Sequence, residues 1–410
     1  MANRLKMKQS SVAGKVPATT DLLLGELAVN TTDGKLYLKK NVSGTETIVD
    51  VTAGGLLPAS ATNLGGVKGL TNLTIDAAGN LSLSGANVNA ALGYTADKPS
   101  LLDGMKNFLI NSQFQIWQNR ANRSVVSPST NSYILDGWIA VNPAGVQYSL
   151  DGNGTYLIWQ ATVANTYGQL HQPIETYLVR RMAGKQVTFS FEWGGLPEFV
   201  GSLTYEIYYS ATSDAWSNTW LSVSGATGVT TAGVENTYRT SVTFTVPSNA
   251  VGLRVGIVPT NVQPITAAVG ISKPQLELGP TRTAFENRDI TLDLLMCQRY
   301  YEKSYDFLTA PGTAIGNWNG AFWHAAINGG DFYSLGGFRF KTQKRIAPNV
   351  TLYDPYYGTA GAMSSPQDYA QTTAAVTVAG QDGVSNVRCP SNNMTTNRIY
   401  CYHYVADARL

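Results

Sequence analysis

Apolar residues fall at every second position through much of this chain. Val187, Phe189, Phe191 and Trp193 alternate with Thr188, Ser190 and Glu192. Leu203, Tyr205, Ile207 and Tyr209 repeat the pattern, as do Val242, Phe244 and Val246, then Leu253, Val255 and Ile257. A period of two puts one set of side chains on one face of a strand. Several such runs with Gly, Pro and Asn between them predict a β-sandwich over 107–287. A second β domain is expected over 304–410, with strands at 338–340, 350–353, 376–378 and 399–405. Residues 288–303 break the alternation. They lack Gly and Pro, Asp289 is a suitable N-cap, and Ile290, Leu294, Cys297 and Tyr301 follow a +4, +3, +4 spacing. This predicts a short helix, packed either on its own domain or, as the preferred reading, against symmetry-related copies as a trimer seam.

The first hundred residues are poorer in apolar material. Residues 1–54 hold one clear hairpin, Glu26–Asn30 and Lys35–Leu38 around Thr31-Thr32-Asp33-Gly34. Asp-Gly suits such a turn because Gly takes a positive φ at no steric cost. Residues 55–106 contain a second expected hairpin, Leu73–Ile75 with Leu81–Leu83, and a short helix ending at Gly93. The segment reads as a thin shaft. A stretch this short and polar does not bury a core by itself, so association with copies of the chain is expected.

Composition narrows the function classes. Of 410 residues, 14% are charged against about 25% in ordinary domains, the formal net charge is +2, and 22 residues are Tyr. No concentrated basic face is evident, which argues against nucleic acid as a partner. No apolar run is long enough for a membrane span, and the first twenty residues carry Arg4, Lys6, Lys8 and Lys15 without the apolar stretch of a signal peptide. Synthesis in the cytoplasm is expected, with Cys297, Cys389 and Cys401 as reduced thiols. The fold class expected from all this is all-β.

Several stretches taken together carry a resemblance. Gly14–Pro17, Asp21–Asn30 and Asp33–Tyr37 resemble the N-terminal segment of many tailed-bacteriophage tail fibres. Asn107–Asn111, Phe114–Gln118 and Asp136-Gly137-Trp138 are similar to the opening of carbohydrate-binding-module-like jelly rolls in such fibres, and Lys273–Gly279, Phe285–Arg288 and Cys297–Tyr301 to their closing strand and following helix. Pro348–Tyr353 and His403–Leu410 resemble the fibres' tip domain. The resemblance implies a homotrimeric receptor-binding fibre of the virion. It would attach to tail or baseplate proteins through 1–54 and extend through the shaft 55–106. Beyond the jelly roll 107–287 and the trimerising helix 288–303, it would present the tip 304–410 to a bacterial surface glycan or outer-membrane receptor.

Candidate chemistry follows from what a sugar needs: flat aromatic faces for its C–H surfaces and polar groups for its hydroxyls. In the sandwich, Trp216 and Trp220 flank Ser217-Asn218-Thr219; these rings either face a ligand or cap a core or subunit seam. In the C-terminal domain, Trp318, Trp323 and His324 lie in an Asn- and Gly-rich stretch, and Tyr356 and Tyr357 follow Asp354-Pro355. Cys401 and His403, with Cys389, lack the paired spacing of a zinc site, although three copies of His403 could ring an axis. No catalytic or phosphate-binding motif occurs. No metal, cofactor or enzymatic activity is expected. The alternatives are a depolymerase of capsule or lipopolysaccharide, needing two carboxylates about 5–10 Å apart such as Glu192 and Glu206, and a prophage-derived lectin or adhesin.

Overall fold

The computed structural model describes residues 7–53, 73–75, 81–83, 105–120, 125–152, 154–212, 220–233, 237–326, 336–391 and 393–409. The chain divides into two compact units, Met1–Asp97 and Lys98–Leu410. Among the described residues no helix is long and apolar enough to cross a membrane.

The first unit contains a four-stranded sheet of β1 (Lys8–Ser10), β2 (Leu27–Asn30), β3 (Lys35–Val42) and β4 (Thr45–Asp50), in that order. β2 and β3 form the expected hairpin, Leu27 opposite Leu38 and Asn30 opposite Lys35, with Gly34 at φ 66°. Asn30 is buried and ties the unit together. Its amide donates to the carbonyls of Val12 (2.9 Å) and Lys15 (3.1 Å), and its oxygen accepts from the Thr32 and Asp33 amides. The buried apolar side chains described here are Leu22, Ala28 and Tyr37, while Leu23, Leu24, Val12 and Val16 are all more than half exposed. The second hairpin is present as β5 (Leu73–Ile75) paired with β6 (Leu81–Leu83). The remaining shaft, and the short helix expected before Gly93, lie outside the described residues.

In the second unit, the alternating runs become β7 (Ser132–Leu135), β8 (Trp138–Val141), β9 (Val146–Leu150), β10 (Leu157–Ala161) and β11 (Gln169–Ile174). After helix α1 (Thr176–Met182) come β12 (Gln186–Gly195), β13 (Leu203–Ser210), β14 (Leu221–Ser222), β15 (Thr227–Ala232), β16 (Tyr238–Thr245), β17 (Gly252–Pro259) and β18 (Ala268–Leu278). They make two six-stranded antiparallel sheets, β15-β16-β12-β18-β10-β9 and β14-β13-β17-β11-β8-β7. The apolar member of each alternation points between the sheets, so Val187, Phe189, Phe191, Trp193, Leu253, Val255 and Ile257 share one core with Trp138 and Trp159. The result is a β-sandwich.

Helix α2 spans Ile290–Gln298, capped by Asp289, whose carboxylate accepts from the Thr291 amide at 2.8 Å. It corrects the expected trimer seam. Cys297 is fully buried against Ile110 and Ile116 of the segment leading into the sandwich, and Leu294 packs on the same cluster. A buried Arg288–Asp293 pair (3.0 Å) pins the helix start, with Arg288 also donating to the carbonyls of Asn107 and Leu109. Tyr301 is not helical: the chain leaves α2 at Arg299 and enters β19 (Tyr301–Lys303), where Tyr301 is buried opposite Asp407. Leu294, Cys297 and Tyr301 are therefore packed within the chain. Ile290 remains exposed, and the apolar residues that α2 leaves outside with it are Leu292 and Leu295.

The C-terminal strands are β20 (Phe322–Ala325), β21 (Phe338–Arg339), β22 (Asn349–Tyr353), β23 (Ala362–Ser364), β24 (Gln371–Thr373), β25 (Ala375–Ala379), β26 (Gly383–Arg388) and β27 (Ile399–Asp407). β27 is the hub, pairing with β19, β20, β22 and β23. Its alternate residues Tyr400, Tyr402, Tyr404 and Ala406 enter a core with Phe338, Phe340 and Met363. The end of β27 also locks onto the sandwich. The Arg409 guanidinium lies over the rings of Tyr133 (4.7 Å) and Tyr301 (4.5 Å), and Gln118 donates to the Tyr301 carbonyl at 2.7 Å. Arg299 pairs with Glu175 at the end of β11. Sandwich and C-terminal sheets thus meet through a polar, largely buried seam.

Candidate functional site

Three turns of the C-terminal domain bring five aromatic rings together. The first follows Gly316. The Asn317 side chain accepts from the Asn319 amide (3.1 Å), and the Ala321 amide closes onto the Trp318 carbonyl (3.1 Å). This turn presents Trp318 and feeds β20, where pairing against β27 turns Phe322 and His324 toward Tyr402 and leaves Trp323 outside. The second turn is built on Asp354, a fully buried carboxylate. It accepts from the amides of Tyr356 (2.8 Å) and Tyr357 (3.4 Å), the Ser364 hydroxyl (2.5 Å) and the Gln371 amide (2.5 Å). Gly358 ends it at φ 74°, and a Cβ there would lie 2.2 Å from the Gly312 carbonyl oxygen, so no larger residue fits. The third turn closes through the Tyr369 amide on the Ser365 carbonyl (2.8 Å), with Asp368 held by Arg398 at 2.9 Å.

The rings are mutually supported. Trp318 lies nearly parallel to Tyr356 (6.1 Å, 21°) and Tyr369 (6.3 Å, 16°) and edge-on to Trp323 (6.3 Å). Tyr356 contacts Tyr357 at 4.7 Å and Tyr369 at 4.5 Å. Trp323, Tyr357 and Tyr369 are 50%, 53% and 47% exposed. Aromatic rings this large are usually buried for their area. Here, fixed turns hold them at the surface beside Asn317, Asn319, Asp368 and Arg398.

Trp318, Trp323, Tyr356 and Tyr357 thus come together as one cluster, and Tyr369 joins them unforeseen. His324 does not belong to it. Its Nε2 pairs with the Tyr402 hydroxyl at 2.9 Å, its ring stacks on Tyr402, and burial lowers its pKa. Trp216 lies outside the described residues, whereas the Trp220 ring is half-buried, 4.6 Å from the Arg254 guanidinium.

Other candidates separate. His403 is fully buried, stacked on Tyr305 at 3.9 Å with Nδ1 2.9 Å from the Ser304 hydroxyl, so its ring is enclosed within the chain. Burial lowers its pKa to about 4. Cys389 faces Thr372 (3.1 Å) and Ser391 (3.4 Å), and hydrogen bonds from these neighbours outweigh burial and lower its pKa. Burial instead raises the Cys401 thiol to about 12. Among the described residues no three His, Cys, Asp or Glu side chains gather as a metal-holding group. Glu192 and Glu206 lie on the outer faces of opposite sheets. Glu192 is held by Arg239, Lys273 and Arg282 at 2.8–3.2 Å, so the two carboxylates cannot flank one glycosidic bond.

No family model and no curated protein matches the chain. Among solved structures, it is similar to the enzymatically active domain of tailspike protein 4 of bacteriophage CBA120, at 12% identity over 42% of this chain and 21% of that one, TM-score 0.23. It is also similar to the tandem CBM22 modules of Paenibacillus barcinonensis Xyn10C, at 11% identity over 71% and 98%, TM-score 0.26. A third is the CBM22-1–GH10 part of a Clostridium thermocellum xylanase complexed with xylohexaose, at 13% identity over 44% and 32%, TM-score 0.26. At these TM-scores a functional reading rests on the side chains of this chain alone.

Proposed function

We propose that the chain is a non-catalytic adhesin, a trimeric tail fibre of a phage virion, which holds a bacterial surface glycan on the cluster of Trp318, Trp323, Tyr356, Tyr357 and Tyr369. The observation that carries the proposal is that these rings are fixed by turns yet left open. A sugar ring offers a C–H face that stacks on such surfaces, and the neighbouring amides and the Asp368–Arg398 pair can bond its hydroxyls. Self-association is supported by the small core of the first unit, whose exposed Leu23 and Leu24 are apolar surface awaiting cover. Three chains on one axis would repeat the cluster three times and turn weak contacts into avid ones. Assembly on a tail through the first unit follows the sequence resemblance.

The test pairs glycan-array binding and host-cell adsorption with light scattering. Trp318→Ala and Trp323→Ala should each lower binding about tenfold, on the scale of roughly 1.4 kcal/mol, with the mass of three chains unchanged. Undiminished binding in both variants would return the rings to a packing role. A single-chain mass would remove the fibre, and release of reducing sugar from host envelopes would replace binding with cleavage.

A further inference from the structure

The outer face of the sandwich sheet formed by β13, β17 and β11 carries a second cluster, far more polar than the first. Core-facing Leu203, Ile207, Leu253, Val255, Ile257 and Leu170 fix which residues look outward. Strand register then sets two rows across the three strands: Tyr208, Arg254 and Pro173 in one, Glu206, Gly256 and His171 in the next. Gly256 is the floor. A Cβ there would lie 2.6 Å from the His171 ring, so only glycine lets the imidazole lie across the strand.

A relay organises the second row. His171 Nε2 donates to the Gln169 side-chain oxygen at 2.9 Å, and the Gln169 amide donates to Glu206 at 3.4 Å. The other Glu206 oxygen lies 3.6 Å from His171 Nε2. Burial lowers the His171 pKa, and nearby Arg254 adds to the effect, so the ring is neutral at pH 7 and the relay runs in one direction. Glu206 also reaches the first row, where it bonds the Tyr208 hydroxyl and its charge acts on Arg254 without a direct ion pair.

Arg254 differs. Its guanidinium lies 4.8 Å from the Tyr208 ring and 4.6 Å from the Trp220 ring, and among the described residues it makes no hydrogen bond and no ion pair within 4 Å. Its Nε is buried without a partner. An unsatisfied buried donor is costly, and a guanidinium presents paired donors that match the two oxygens of a carboxylate. The Tyr208 and Trp220 rings border the guanidinium with apolar surface.

We propose that this face is a second saccharide site, selective for a sugar that bears a carboxylate, with Arg254 holding the carboxylate and Tyr208 and Trp220 carrying the ring. Charge complementarity selects the ligand: among the described residues Arg254 is a cationic donor without a hydrogen bond, while Glu206, which acts on it through space, is bonded to Gln169 and Tyr208. The proposal shares with the function above only the premise of a saccharide ligand, since none of its residues belongs to the C-terminal cluster.

The experiment is an array of bacterial polysaccharides in native and carboxyl-reduced form, with phosphorylated and sulfated glycans alongside, probed with the intact protein. Native acidic chains should bind about tenfold or more tighter than their reduced counterparts. Arg254→Gln should abolish that preference, Arg254→Lys should restore part of it, and Trp323→Ala should leave it in place. An unchanged melting transition in Arg254→Gln confirms an intact sandwich, and Tyr208→Ala provides a second variant should that transition shift. The proposal is overturned if acidic chains do not bind, if carboxyl reduction has no effect, if the preference survives Arg254→Gln, or if phosphate or sulfate esters replace the carboxylate. Neutral glycans held through Trp318 and Trp323 in that event would leave the proposed function standing.

Discussion

The sandwich and the C-terminal domain both spend tryptophan, to opposite ends. Trp138, Trp159 and Trp193 are almost wholly buried, and every indole N–H has an acceptor: the Asn111 carbonyl (3.1 Å), the Gly168 carbonyl (3.0 Å) and the Thr240 hydroxyl (3.0 Å). Trp318 and Trp323 touch other rings, but neither indole N–H has a partner among the described residues. A buried indole without an acceptor would be costly, so the sandwich rings had to be satisfied internally. The C-terminal rings can leave that valence to solvent or ligand. Satisfaction of the polar atom, more than ring type, separates a structural tryptophan from an available one.

The largest test of this contrast is Trp138→Ala. Removing a fully buried indole leaves a cavity and orphans the Asn111 carbonyl, and it should cost roughly 3–5 kcal/mol, read as a large fall in the denaturant midpoint. Trp323→Ala should stay within about 1 kcal/mol of the parent, because its ring is half in water already. Equal losses in the two variants would erase the distinction.

How much of this was readable beforehand follows the same divide. The period of two exposed the core face of β12, β13, β16 and β17, because alternation is a property of strands before tertiary packing. The hairpin at Asp33-Gly34 and the N-cap at Asp289 were local and therefore legible. The end of α2 was not. Tyr301 fits the helical spacing, but its pairing opposite Asp407 is set by a strand more than a hundred residues later. Tyr369 carries no signal in the sequence, because Ser365–Ala370 contains no tryptophan and no glycine to mark a ring-bearing turn. Asp354 stands before Pro355 and two Tyr residues in the sequence, with nothing to say that Ser364 and Gln371 would converge on it. Arg254 carries no local mark of a site, since a charged residue on the polar side of a strand is ordinary. Strand register sets it beside the Tyr208 ring, where it makes no hydrogen bond among the described residues.

The two regions also differ in how acidity should act on them. Asp136, at the sandwich side of the seam, is buried, and desolvation raises its pKa to about 6 despite two hydrogen bonds from Gln118. A carboxylate with a raised folded pKa stabilises most below its unfolded value of 3.8, and that contribution is lost as pH rises through about 6. The swing is about 3 kcal/mol. In the C-terminal domain His403, lowered to about 4 by burial, acts oppositely: its contribution is present above the unfolded value of 6.5 and is lost as pH falls toward 4. Asp136→Asn should therefore remove a loss of stability between pH 4 and 6. The measurement is the difference between parent and variant midpoints across that range, since other carboxylates contribute equally to both. A constant difference at every pH would mean that Asp136 does not titrate in the seam.

The smallest expected effect on stability is the most discriminating, and it concerns Tyr369. Its backbone sits at φ 62°, a left-handed conformation that costs a β-carbon-bearing residue roughly 1–2 kcal/mol, while its ring is nearly half exposed. A tyrosine retained there for stability alone makes little physical sense, because glycine would take the turn without strain. Tyr369→Gly relieves the backbone and removes the ring in one step. The melting temperature should hold or rise slightly, while glycan binding falls several-fold through loss of one wall beside Trp318 and Tyr356. Tyr369→Phe keeps the ring and should keep binding. If Tyr369→Gly instead lowers the melting temperature as Trp138→Ala does, the ring belongs to the packed class, and the cluster loses its claim to have been left open for a ligand.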